Sequence, residues 1–384
     1  MKIPILVDIE RGFRKLKLYI KDRTNKVRKQ QEVLFNKNFA DTKKMIVFVN
    51  FPNNEFCGGI MMMFYFATAS RNMKNIHGCD VLHANFFNHE AKYYLSQDNF
   101  KNDETIYNME LVMQKAKSLD KLILHVPEML AADLAKELKK YKKVLKNIPD
   151  FQINFLNQNI DVFSPKEEWQ SLYEITQNIT QTTGFERYTT QEICNKWKIP
   201  LYYLPPFHEA NNVNDYGKKH YKEKEKLFIY SPDEKPLKAE IIAKLQKELP
   251  DFKIQEIKGL TYEEYLKTAQ RAMFELTFGE GYDAYFVDAS LLGGIGFSVY
   301  NERFFPSAKY KDVETVYESY EKILENLADD VKKYIENEDL YNELSEKMDN
   351  LNHEFSFKPD KTLKGLEKFY KRIPTFVPEE SKND

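Results

Sequence analysis

The sequence predicts an α/β protein built as two domains, and three observations carry that expectation. The chain has 384 residues, more than one core of the usual roughly 150 residues absorbs. Short apolar runs rich in β-branched and aromatic residues alternate with helical patterns in both halves. Between the halves lies a polar stretch, residues 206–225, entered through Pro205-Pro206, which reads as an interdomain crossing. The expected organisation is a basic N-terminal segment (1–44), a first α/β domain (45–205), a linker (206–225), a second α/β domain (226–355) and a C-terminal helix with tail (356–384).

Residues 1–44 hold thirteen Lys or Arg against five acids in a chain of net charge −2. Phe13, Leu16, Leu18, Tyr19 and Ile20 are interleaved, so a helix over 11–31 would show one basic and one partly apolar face. Two readings follow. Such a helix can lie on an anionic membrane surface, each basic residue contributing about 1 kcal/mol, or pack on its own domain with its lysines solvated.

Met45-Ile-Val-Phe-Val-Asn-Phe is a continuous apolar run, as in a parallel strand buried on both faces. A glycine turn with Gly58 and Gly59 follows, then a helical pattern whose Met61, Met62 and Met63 read as core. Without Cβ the glycines let backbone approach a ligand closely; they also suit a plain helix start. Further strands are predicted at 80–82, 121–126 and 152–156, with helices at 104–117 and 130–139. Open α/β sheets bind ligands beyond the carboxyl ends of their strands, which selects His83, His125 and Glu128. His83 and His89 have no third ligand nearby, so no metal site is expected. Later, Thr182, Thr183 and Arg187 are candidates, Arg187 because guanidinium forks to phosphate or carboxylate.

In the second half, strands are expected at 226–230, 252–257, 272–277 and 296–300, with helices at 237–249 and 262–270. Lys235 and Lys238 follow the first of these strands. Long charged helices are expected over 313–346, a terminal helix from 357, and a disordered tail at 378–384. Gly293-Gly-Ile-Gly follows a helix, whereas a dinucleotide fingerprint must follow a strand.

Composition narrows the class. Near-neutral charge argues against a general nucleic-acid binder. Three scattered cysteines fit neither a disulfide framework nor a zinc cage. The longest apolar stretch, 58–69, is short of the roughly 20 residues of a membrane span, and residues 1–8 lead into charge without a cleavage site. A cytoplasmic protein is expected, at the inner membrane face if the basic segment binds there.

The densest signal is Phe278-Gly-Glu-Gly-Tyr-Asp-Ala-Tyr-Phe-Val-Asp-Ala-Ser-Leu-Leu-Gly-Gly. A strand runs through a Gly-flanked carboxylate, Glu280, into a helix that carries Asp288 eight positions on. Strand end, glycine turn and helix N-terminus present unpaired N–H groups to an anion. In Glu280, Gly281, Asp288, Ala289 and Gly293 the segment resembles the acidic signature of retaining GT-B glycosyltransferases, family 4-like.

The resemblance implies GT-B architecture: two Rossmann-like domains facing a cleft, with a C-terminal helix crossing back. It implies sugar transfer from a nucleoside diphosphate donor, UDP in the first instance, to a glycan, glycoprotein or lipid-linked acceptor, with retention and in bacterial glycan synthesis. Glu280 would meet the sugar hydroxyls and Asp288, shorter than the commoner Glu, the ribose. His125 would orient the donor sugar as the second catalytic residue. Gly58 and Gly59 would face the cleft, Leu260 would offer main chain to the base, and Gly281, Tyr282 and Asp283 would supply the diphosphate-binding turn. Ser231 stands where Arg is common, so Lys235, Lys238 or Arg187 would neutralise the diphosphate. No Asp-x-Asp triplet occurs; metal independence and no cofactor are the expectation. Nucleic acid is not an expected partner, and a homo-oligomer is left open. The rival readings are a sugar-nucleotide epimerase and a non-catalytic GT-B-like subunit.

Overall fold

The computed structural model describes residues 26–51, 58–86, 99–206, 216–355 and 359–379. They fall into two compact units. The first takes described residues of Met1–Asp98, Asn102–Pro205 and Lys364–Asp384; the second those of Asn99–Lys101 and Pro206–Leu363.

The first unit is built on seven parallel strands: β1 (Lys44–Val49), β2 (Asp80–Asn85), β3 (Ile106–Asn108), β4 (Lys121–Pro127), β5 (Asp150–Asn157), β6 (Ile179–Thr183) and β7 (Leu201–Tyr203). Their order is β3-β2-β1-β4-β5-β6-β7, all neighbours parallel. Strand order reverses between β1 and β4, the place where such sheets bind ligands. The centre is fully buried, with Val47, Leu124 and Ile153 at 0% exposure, which is why these strands read as unbroken apolar runs. The expected helix at 104–117 opens instead with the strand β3, and only Met109–Lys115 is α-helical, capped by Asn108 accepting from Glu110 N.

Most of the basic segment, residues 1–25, lies outside the described residues. From residue 26 to 39 the chain is helical and packs on this unit. Gln31 Nε2 donates to Ile106 O at 3.0 Å, and Phe35 meets the Tyr107 ring edge-on. The described part of the predicted 11–31 helix is therefore anchored through Gln31 to strand β3.

From Lys364 onward the described C-terminal segment also belongs to this unit. In the helix Pro359–Tyr370, Leu366, Phe369 and Tyr370 are buried. Tyr370 Oη and Ser70 Oγ are 2.5 Å apart, and Phe376 makes an antiparallel bridge to Leu201.

The second unit holds five parallel strands: β8 (Glu225–Tyr230), β9 (Lys253–Glu256), β10 (Ala272–Leu276), β11 (Ile295–Val299) and β12 (Val316–Tyr317), in the order β12-β11-β10-β8-β9. Residues 316–317 form the edge strand β12 where the sequence predicts helix. The reversal here falls between β8 and β10. The helix Tyr262–Arg271 begins with a capping box of Thr261 and Glu264, and the helix Ala284–Leu291 follows β10. Among the described residues no helix is long and apolar enough to cross a membrane.

Candidate functional site

At the β8/β10 reversal, two strand ends are stapled together. Ser231 Oγ, fully buried after β8, accepts from Phe278 N after β10 at 2.8 Å. The Ser standing where the resemblance expects Arg thus has a structural task. From this staple the chain passes Thr277, Gly279, Glu280 and Gly281 to the helix Ala284–Leu291. Gly281 has φ +97°, and a Cβ there would stand 2.5 Å from Val299 O, so only glycine makes this turn without strain. Its carbonyl accepts from Ser298 Oγ at 2.6 Å. Glu280 is exposed at the apex.

Asp283 is the helix N-cap. Its Oδ1 accepts from Phe286 N at 3.3 Å and its Oδ2 from Thr277 Oγ1 at 2.5 Å, ties worth about 0.5–2 kcal/mol for the cap alone. A Cβ at Gly279 would collide with Asp283 Oδ2, with Thr277 Oγ1 at 3.2 Å and Asp233 Oδ2 at 3.4 Å. Asp233, Thr277 and Asp283 therefore converge on one small space. Burial, with Glu280 and Asp233 nearby, pushes the Asp283 carboxyl up to about 7 against the lowering hydrogen bond from Thr277. Tyr282 turns away, its hydroxyl donating to Asn352 Oδ1 at 3.1 Å.

Asp288 lies at a different depth from Glu280, with 0% exposure. Oδ2 accepts from Tyr262 Oη at 3.0 Å, while Oδ1 is buried without a partner. Burial pushes its carboxyl up to about 7. Tyr262 opens the helix after the Gly259-Leu260-Thr261 turn, where Gly259 has φ +69° and Leu260 is half-buried. One layer deeper, Glu275 on β10 is 1% exposed, and burial, with Asp288 nearby and against the lowering hydrogen bond with Tyr265, raises it well above the usual carboxylate range. An acid inside the apolar run Ala-Met-Phe-Glu-Leu was the available signal for this residue, and it was missed.

The two lysines separate. Lys238 is buried, its Nζ donating to Pro232 O at 3.0 Å, Asp233 O at 2.9 Å and Glu256 Oε1 at 3.1 Å. An ammonium has three donors, so Lys238 is spent holding the β8 loop and is not free for a diphosphate. Lys235, in the same loop, is exposed.

In the first unit, His125 does not lie past a strand end. β4 continues to Pro127, which pairs with Leu156, and His125 is inside it at 0% exposure. Its ring stacks on Phe48 at 4.6 Å, Nδ1 meets Asn154 Nδ2 at 3.1 Å and Nε2 meets Tyr370 Oη at 3.4 Å. Burial lowers its pKa to about 3. His125 is a neutral core residue, closed off from a donor sugar by Phe48, Phe369 and Tyr370. His83 is likewise buried, stacked on Phe64. Gly58 begins the helix Gly58–Asn72 with open space at its Cβ position, while a Cβ on Gly59 would stand 2.8 Å from Gln158 Oε1. Arg187 is half-buried after β6, its guanidinium 5.9 Å from the Tyr188 ring centre. Among the described residues no group of three or more His, Cys, Asp or Glu could hold a metal ion.

No protein-family model matches the chain, and no curated protein does. Solved structures do. An alpha-glucosyltransferase in complex with UDP-glucose and DNA containing an abasic site has a TM-score of 0.58 at 12% identity, covering 85% of this chain and 99% of that one. The fold is GT-B. Anabaena HepE in complex with UDP and glucose (TM-score 0.52, 10% identity, 86% and 100% coverage) and a glycosyltransferase from Rickettsia africae (0.52, 11%, 86% and 98%) share the GT-B fold. One expectation is overturned: the absence of a nucleic-acid partner does not stand, since an alpha-glucosyltransferase of this fold is seen with DNA.

Proposed function

We propose that this GT-B chain transfers a sugar from a nucleoside diphosphate donor, a UDP-sugar, to a hydroxyl acceptor. The carrying observation is the strand–glycine–helix turn at the β8/β10 reversal, with an exposed Glu280 at its apex and a buried, half-partnered Asp288 beneath it. GT-B proteins solved with UDP or UDP-glucose support the choice of donor. In this reading Glu280 accepts from the sugar hydroxyls. Tyr262 swings off Asp288 so that the ribose hydroxyls satisfy both carboxylate oxygens, Leu260 offers main chain to the base, and Lys235 meets the diphosphate. The turn amides and helix N-terminus add electrostatic stabilisation of the leaving diphosphate. Retention at the anomeric carbon, which the acidic pair implies through the resemblance, belongs to the proposal.

The test is a thermal-shift screen of UDP-sugars, then UDP release with added EDTA, since metal independence belongs to the proposal. Glu280→Ala should cut turnover by roughly 100-fold, the scale of losing one transition-state hydrogen bond, with an unchanged melting temperature. Full activity in this variant removes Glu280 from the site. A second reading, a non-catalytic subunit, is favoured by one observation: Asp283 already caps the helix N-terminus. Failure of every UDP-sugar to bind would decide for it.

A further inference from the structure

We propose that Glu128 in the first unit is the carboxylate that binds the acceptor, taking a hydrogen bond from a hydroxyl of a neutral sugar. The inference rests on the transferase reading above. Glu128 is the first residue beyond β4, at the β1/β4 reversal where an open parallel sheet offers its ligand site. It is 5% exposed, and its Oε1 accepts from Asn159 N, just beyond β5, at 2.8 Å. Next to it, Gln158 Nε2 donates to Gly59 O at 3.2 Å, and the missing Cβ of Gly59 leaves room for that amide. The ends of β4 and β5 and the start of the helix Gly58–Asn72 are thus locked into one preformed corner.

Chemistry narrows the ligand. An ionised carboxylate only accepts, which matches a hydroxyl. Residues 127–130 and 157–162 carry no Lys or Arg, so among the described residues these two loops offer no cation to a phosphate or carboxylate ligand. Met129 and Val162, 51% and 41% exposed on the same two loops, offer apolar surface to the C–H face of a sugar ring. Burial pushes the Glu128 carboxyl up to about 7, opposed only by the backbone N–H groups of Glu128, Gln158 and Asn159, with no charged side chain contributing. Acceptor binding should therefore weaken on mild acidification.

The test compares wild type with Glu128→Gln, using UDP-glucose as donor and methyl glucoside and maltose as acceptors. Glutamine still accepts from Asn159 N, so the corner survives; an unchanged melting temperature and UDP affinity verify this. The expected result is an acceptor KM raised at least tenfold, with donor KM and donor hydrolysis within twofold. In wild type the acceptor KM rises below about pH 7, whereas in the variant it is flat with pH. An acceptor KM within twofold of wild type, or an equal change in donor KM, overturns the proposal. Transfer only to duplex DNA carrying hydroxymethyl bases overturns the sugar class. If wild type neither binds UDP nor releases it from any donor, the transferase reading itself has failed and Glu128 falls with it.

Discussion

Asp288→Asn should stabilise the second unit above neutral pH while weakening its hold on UDP. Burial raises the Asp288 carboxyl from 3.8 to about 7 in the folded chain, with 0% exposure to screen it. A folded-state pKa above the unfolded one means stability that is complete below pH 3.8 and is lost as pH rises toward 7. At 1.36 kcal/mol per pKa unit, about 4 kcal/mol is lost by pH 8. Asparagine carries no such cost. Its oxygen still accepts from Tyr262 Oη, but its NH₂ meets a position where Oδ1 has no partner, a penalty of about 1–3 kcal/mol. The net expectation at pH 8 is a gain of about 1–3 kcal/mol, vanishing or reversing near pH 4. Urea unfolding at pH 4.5 and pH 8, followed by near-UV circular dichroism of the tyrosines, measures it. Trp169 and Trp197, the chain's two tryptophans, are both in the first unit, so their fluorescence is an internal control that should not move. A variant that is less stable at pH 8 and keeps the wild-type pH slope would refute the reasoning. If stability rises and UDP affinity falls together, Asp288 is a residue kept for its ligand at the expense of the free fold.

Gly281→Ala forces a side chain onto φ +97° with Val299 O 2.5 Å away. A loss of about 2–4 kcal/mol in the same unfolding assay is expected, from backbone strain plus a carbonyl contact that cannot swing aside; a loss under about 1 kcal/mol would contradict the turn geometry. Lys235→Ala should weaken UDP binding by calorimetry about 10- to 100-fold, the value of a charge-assisted hydrogen bond, with no change in stability. Lys238→Met should do the reverse, lowering stability by about 1–3 kcal/mol through its orphaned acceptors and leaving UDP affinity near wild type. Equal effects of the two lysines on UDP would show that Lys238 leaves its three partners to reach the diphosphate.

Much of the fold was legible because parallel strands buried on both faces leave an unbroken apolar run. Met45 to Val49 and Leu122 to Val126 could hardly be anything else. The elements that escaped lacked such a run. β3 is three residues long and β12 two, too short for periodicity to register. β6, Ile-Thr-Gln-Thr-Thr, is polar because its side chains hydrogen-bond inside the sheet layer, Thr180 Oγ1 donating to Asn154 Oδ1 at 2.9 Å. That layer also explains His125. A proline two residues on looked like a strand end, yet Pro127 keeps its place in the pairing, and the histidine is a member of the buried polar row. The site was legible as a turn and not as a pocket. Gly281 and the helix start follow from sequence, because φ and capping are local properties. Which face of the helix Asp288 occupies depends on Tyr262, a partner 26 residues away, and no local pattern encodes that.

The described C-terminal segment, from Lys364 onward, completes the first unit through Leu366, Phe369, Tyr370 and the bridge at Phe376, although the chain has by then passed through the whole of the second unit. The first unit is therefore discontinuous in sequence: Ser70 and His125 are covered by Tyr370 and Phe369, so its core cannot be complete until chain on the far side of the second unit has been made.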